Sequence, residues 1–175
     1  MKKLISAISL SFFFFASLAS SKIDNDKKTI ISTVESHRDR LIEISDNIWE
    51  AAEPALLEFK SSKYLSDYAE ENGFRVTLGV ADIPTAFVAE YGSGKPIIGI
   101  LGEFDANPGI SQKKQPTKEP LVKGAAGHGC GHNLFGTASL GAAIAIKEMI
   151  ESGEISGTVR FYGTPAEETI FAKVW

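Results

Sequence analysis

From Asp24 onward the apolar positions recur with a helical period: Ile31, Val34, Leu41, Ile44 and Ile48 stand three, four or seven residues apart, with Glu35, Arg38, Asp39 and Glu43 between them. Such spacing gathers the apolar side chains on one stripe that must face a core. His37 falls among the charged positions and is expected to face solvent. Pro54 cannot continue the pattern, since its ring removes a backbone donor. A second helix is expected from about Ser61, turning Tyr64, Leu65, Tyr68 and Ala69 inward and stopping at Asn72-Gly73.

Beyond Gly73 the period changes to two. Phe74 to Val80 and Thr85 to Tyr91 read as strands, and Pro96 to Leu101 as a third, apolar enough to be covered on both faces. Residues 109 to 127 are rich in Gly, Lys, Pro, Ser and Gln and read as a long loop. A helix rich in glycine and alanine follows, from Leu134 to about Ser152, with Asn133 as its expected cap. Thr158 to Thr164 alternates as a last strand. Strand, loop, helix, strand is a βαβ unit, so the expected fold is α/β, a largely parallel sheet flanked by helices.

Composition fits a globular chain: 175 residues, 43% hydrophobic, with a net charge of −4. Lysine and arginine are scattered, so no nucleic-acid partner is expected. The first residues change the picture of where the protein works. Lys2 and Lys3 precede an apolar run from Leu4 to about Leu18, and Ser17-Leu18-Ala19 offers the small residues read by a signal peptidase. Residues 1–19 are therefore expected to be a secretory signal, leaving no membrane span after cleavage, because the run is short for about 30 Å of hydrocarbon. Export to the periplasm or medium would expose a lone thiol to oxidation unless metal or burial protects it.

The chemistry concentrates in Gly127-His128-Gly129-Cys130-Gly131-His132-Asn133, which holds two of the three histidines and the single cysteine. In an extended chain His128, Cys130 and His132 would share one face, and imidazole with thiolate suits zinc. A disulfide within the chain is excluded by the count, and a covalent haem site by its need for two cysteines. Downstream, Pro165-Ala166 leads into Glu167-Glu168, a pair that could divide labour, one carboxylate binding a cation and the other taking a proton from water. Glu103 and Asp105 end the apolar strand in Gly102-Glu103-Phe104-Asp105-Ala106-Asn107-Pro108-Gly109; Asp105 either orients a liganding histidine or belongs to a turn. A calcium loop fails there for want of later ligands, and Gly92-Ser93-Gly94-Lys95 fails as a phosphate loop because Pro96 replaces Ser/Thr. Cys130 acting as a nucleophile with His132 as base is a third possibility.

Gly102-Glu103-Phe104-Asp105-Ala106, His128-Gly129-Cys130-Gly131-His132-Asn133 and Thr164-Pro165-Ala166-Glu167-Glu168 together resemble the successive motifs of the metal-dependent amidohydrolases of metallopeptidase family twenty, in the aminobenzoyl-glutamate hydrolase B-subunit-like and aminoacylase-like branch. The resemblance runs from about residue 30 to the C-terminus. It implies a zinc-exopeptidase-like catalytic domain that hydrolyses the amide bond of a small N-acyl amino acid, dipeptide or aminobenzoyl-glutamate-like substrate. It further implies Cys130, His132 and Glu168 as metal ligands, Glu167 as general base, and His128 behind the ligands. Zinc is the expected metal, with manganese or cobalt also admitted by the carboxylates. Asn133 stands where relatives often have Asp, and Asn107 where Leu is usual. Family members are more than twice this length, with further liganding histidines and an inserted dimerisation domain. Residues 20–175 are thus expected to be the N-terminal part of such a domain, whose full-length parent is a homo-oligomer. A chain acting only as a metal- or partner-binding module is the alternative.

Overall fold

The computed structural model describes residues 23–172. The signal expected at residues 1–19 lies outside them. The described chain opens in a helix over residues 23–36, α1, which turns at His37 into α2, Arg38–Ala51. Leu41, Ile44, Ser45 and Ile48 are the buried residues of α2 and form the expected stripe. On α1 the stripe departs from expectation, since Ile31 is 68% exposed. There Thr33 is the buried residue, its Oγ1 donating to Glu148 Oε2 at 2.9 Å. His37 also differs from its solvent-facing reading. Its ring is largely buried, bonded through Nδ1 to the Tyr68 hydroxyl and through Nε2 to Glu148 at 3.2 Å. The turn in the helix axis aims it between two other helices.

Helix α3, Phe59–Glu71, closes at Asn72 and Gly73, whose φ of +82° is the left-handed stop expected there. Strands β1 (Arg75–Leu78), β2 (Phe87–Ser93) and β3 (Ile97–Glu103) follow. The first ends two residues before Val80, because Gly79, Ala81 and Asp82 all take positive φ. Residues 104–131 are loop, leading to α4 (His132–Glu151), β4 (Gly157–Thr164) and the short α5 (Glu167–Ile170).

The sheet order is β1-β2-β4-β3. The α/β class stands, and the expected parallel pairing is present between β3 and β4, where Ile100 faces Phe161. The sheet as a whole is mixed, since β4 inserts between β2 and β3 and pairs antiparallel with β2, which pairs antiparallel with β1. The connection of Gly94-Lys95-Pro96 leaves room for this because β4 takes both free edges: Thr158 N–H donates to Pro96 O and its Oγ1 to Gly94 O, each at 2.9 Å.

One face of the sheet carries the core. Phe87, Ala89, Val159 and Phe161 meet Leu41, Ile44 and Ile48 of α2, Leu65 of α3 and Leu140 and Ile144 of α4. Each fully buried Ile or Leu contributes roughly 1.5–3 kcal/mol by leaving water. The expectation that β3 is covered on both faces is not met among the described residues: Ile97, Ile98 and Leu101 are each about half exposed, because α2, α3 and α4 all join the same core. Close approach of α4 to β3 depends on Gly136. A Cβ there would lie 2.6 Å from the Glu103 carbonyl oxygen, so only glycine lets the helix start come down on the strand end.

Candidate metal centre

The carboxyl ends of the parallel pair are where open α/β sheets place their chemistry. Glu103 closes β3 and Asp105 lies just past it; Glu167 and Glu168 lie just past β4; His132 opens α4 beside them. Gly131, at φ +87°, makes the sharp turn into the helix. The glycine-rich loop is lashed down by Asn107, whose Oδ1 accepts the N–H groups of Gly129 and Cys130 at 3.1 Å each. Its backbone also exchanges two hydrogen bonds with Gly127.

His132 is the centre of the arrangement. Its Nδ1 lies 2.9 Å from Asp105 Oδ1, and an ionised carboxylate can only accept, so Nδ1 carries the proton. The ring is thereby fixed with Nε2 facing carboxylates: Glu103 Oε2 at 3.1 Å, Glu168 Oε1 at 3.6 Å and Glu167 Oε2 at 3.9 Å. Asp105 is 1% exposed, and its second oxygen accepts the Glu168 N–H at 2.8 Å. Both Asp105 oxygens are thus engaged, one by the His132 ring and the other by the Glu168 amide.

Two overlapping donor sets result. Ligand atoms of Cys130, His132 and Glu168 all lie within 4.8 Å of one another, as do those of Glu103, His132 and Glu167. Thiolate, imidazole and carboxylate are the donor types zinc prefers. Glu168 Oε1 is buried with no hydrogen-bond partner, so a cation bridging this set would satisfy an atom that is otherwise costly to bury. The residues fit the group.

Not every residue of the motif joins in. His128 belongs to neither set, and its Nε2 meets the Ile48 carbonyl of α2 at 3.1 Å. The alternation argument does not hold because the loop is bent, not extended, between Gly127 and Gly131. Asn133 does not cap α4 either. Gly131 holds the cap position, and the Asn133 amide instead donates to Ser45 Oγ at 3.1 Å, joining α4 to α2. Sequence reasoning sets Glu103 beside Asp105 at the end of an apolar strand but does not name it a ligand; the structure puts its carboxylate 3.1 Å from His132 Nε2. Asn107 reads from sequence only as a turn residue. Glu58, a glutamate within Leu56-Leu57-Glu58-Phe59, gives no sequence signal beyond its charge in an apolar run.

The electrostatics follow from this packing. Burial alone would push the His132 pKa down, but the Asp105 hydrogen bond and the charges of Asp105, Glu103 and Glu168 outweigh it and hold the imidazolium above its usual range. For Asp105 burial acts upward and is overcome by His132 and the Glu168 amide, leaving the carboxyl low. Desolvation pushes the Cys130 thiol up, helped by Glu168, Glu167 and Glu103. Burial lowers His128, offset in part by Ile48.

A mixed sheet with a helical layer thus gathers thiol, imidazole and carboxylate donors at its strand ends, an arrangement suited to a divalent cation. No family model matches the chain. It is 48% identical over 142 residues to the B subunit of p-aminobenzoyl-glutamate hydrolase of Escherichia coli (strain K12), an alignment covering 79% of this chain and 29% of that protein. It is 30% identical to N-acetylcysteine deacetylase of Bacillus subtilis (strain 168), covering 74% and 33%. Among solved structures it matches a dinuclear metal-binding peptidase of the M20 family from Bacillus subtilis with a TM-score of 0.64 and 30% identity, covering 77% of this chain and 36% of that one. The chain belongs to the M20 family of metal-dependent peptidases and amidohydrolases. It spans about a third of the length of the curated relatives it matches.

Proposed function

We propose that this chain carries part of the centre of an exported, metal-dependent amidohydrolase that cleaves the amide bond of a small N-acyl amino acid, dipeptide or aminobenzoyl-glutamate-like substrate. The observation that carries the reading is the convergence of Cys130, His132 and Glu168 within 4.8 Å, with Glu167 beside them. The curated relatives support the substrate class, being one subunit of a p-aminobenzoyl-glutamate hydrolase, a deacetylase and a dipeptidase.

Cys130, His132 and Glu168 would hold the cation, zinc by preference and manganese or cobalt as substitutes. Once bound, a divalent cation supplies a Lewis acid that polarises an amide carbonyl and acidifies water. The chain's own residues do the rest. Asp105 keeps the His132 proton on Nδ1, so that Nε2 presents its lone pair inward. The Glu167 carboxylate accepts the proton of the attacking water and passes it to the departing amide nitrogen, acting first as base and then as acid. Residues 20–175 are read as the N-terminal part of the catalytic domain of a longer, homo-oligomeric protein. Export rests on the sequence of residues 1–19 alone. Among the described residues no helix is long and apolar enough to cross a membrane.

The test is Glu167→Ala in a full-length version. Turnover of N-acyl amino acids or aminobenzoyl-glutamate should fall at least about a hundredfold, the usual scale for a general base, while metal content is retained. Undiminished turnover would remove Glu167 from the role.

A further inference from the structure

Among the buried groups that the proposed chemistry does not use, Glu58 is the most demanding. Its side chain is fully buried, and burial pushes its carboxyl up against the opposing effect of several donors. Leaving a carboxylate out of water is costly unless its oxygens are satisfied. They are: Oε2 accepts the Thr85 hydroxyl at 3.0 Å, and Oε1 accepts the backbone N–H of Ala166 at 2.8 Å.

Ala166 is the residue immediately before Glu167 and Glu168. It is fully buried and takes φ +59°, a left-handed conformation unfavourable to any residue with a side chain. Pro165 before it has no N–H, and β4 ends at Thr164, so the Ala166 amide is beyond reach of the sheet ladder. Glu58 supplies the missing acceptor from a segment 108 residues away in sequence. Two residues further on, the Glu168 N–H is taken by Asp105 Oδ2. The glutamate pair is thus pinned on both sides by buried carboxylates.

We infer that Glu58 is a positioning residue: by accepting the Ala166 N–H it holds the left-handed turn that presents Glu167 and Glu168 to His132. The effect on metal binding rests on the metal-centre reading above; the effect on the turn does not. Glu58→Ala leaves the amide without its acceptor. Glu58→Gln keeps it, because the amide oxygen accepts from Ala166 while the NH2 group donates to Thr85 Oγ1.

The experiment uses this chain with Co²⁺ as the probe, reading affinity and the thiolate-to-cobalt and d–d absorption bands, together with amide hydrogen exchange over residues 164–170 without metal. In folded Glu58→Ala, exchange at residues 166–168 should quicken at least about tenfold as the turn opens. Cobalt affinity should drop about 10- to 100-fold with altered d–d bands. Glu58→Gln should restore both measurements to the unmutated values, which a general loss of stability would not produce. Should Glu58→Ala fail to fold, Glu58→Asp, which keeps the carboxylate but draws it back from the Ala166 N–H by one methylene, should quicken the same exchange. Unchanged exchange in whichever variant folds overturns the inference, as does failure of Glu58→Gln to restore it. An unmutated chain that binds no cobalt counts against the metal centre alone, and the exchange comparison still decides the role of Glu58.

Discussion

Asp105 Oδ1 and His132 Nδ1 stand 2.9 Å apart, both nearly inaccessible to solvent. That one contact chooses the tautomer of the ring, and with it the nitrogen that faces Glu103, Glu167 and Glu168. Because the other oxygen of Asp105 holds the Glu168 amide, a single side chain sets two of the three proposed ligands.

Asp105→Asn tests this double duty. The amide could still accept from His132, but its NH2 group cannot accept the Glu168 N–H, and the negative charge that makes the imidazole a stronger donor is gone. Zinc or cobalt affinity of the chain should fall about 10- to 100-fold, as for other outer-shell partners of ligating histidines. Calorimetric titration with either metal checks it, and affinity equal to the unmutated chain would show that Asp105 is dispensable.

Metal binding should depend on pH in a defined direction. His132 and Cys130 both hold their protons above the usual range, and both must lose them to ligate. Affinity should therefore rise from roughly pH 6 to 9, with protons released on binding, measurable by titration in buffers of different ionisation enthalpy. A flat profile would argue against Cys130 and His132 as ligands.

In the metal-free chain Asp105 and His132 should set opposite limits to stability. Asp105 lies below its ordinary 3.8, so its contribution is present above that value and is lost as acid titrates the folded carboxyl. His132 lies above its ordinary 6.5, so its contribution is complete below that value and is lost as pH rises through the higher folded pKa. Thermal melts with chelator should show Asp105→Asn losing most stability, relative to the unmutated chain, between those limits.

Gly136→Ala should destabilise the fold by about 1–3 kcal/mol, because the new methyl would be forced against the Glu103 carbonyl and α4 would have to move. Chemical denaturation measures the loss. A neutral result would mean that the helix start is free to shift, and that Glu103 and His132 are held less firmly than their 3.1 Å separation implies.

The residues that carry chemistry are legible in the sequence because donor identity is written there. Cys130, His132, Glu167 and Glu168 stand out by type and order, and the structure gathers all four. Leu41, Ile44 and Ile48 are legible because a helix repeats every few residues, and Gly73 because a helix stop needs φ above zero. The same local reasoning misplaces His37, His128 and Asn133. Each has a partner on another element, Glu148, Ile48 and Ser45 respectively, which no local period can disclose.

The sequence by itself determined the set of donors, the periods of the helices and strands, and the α/β class, since these depend on side-chain chemistry and on neighbours a few positions away. Only the tertiary structure decided that β4 lies between β2 and β3, that Nε2 of His132 is the inward nitrogen, and that Glu58 reaches Ala166. Those outcomes turn on which distant segments share the buried side of the sheet, where an unpaired amide or carboxylate is too costly to leave without a partner.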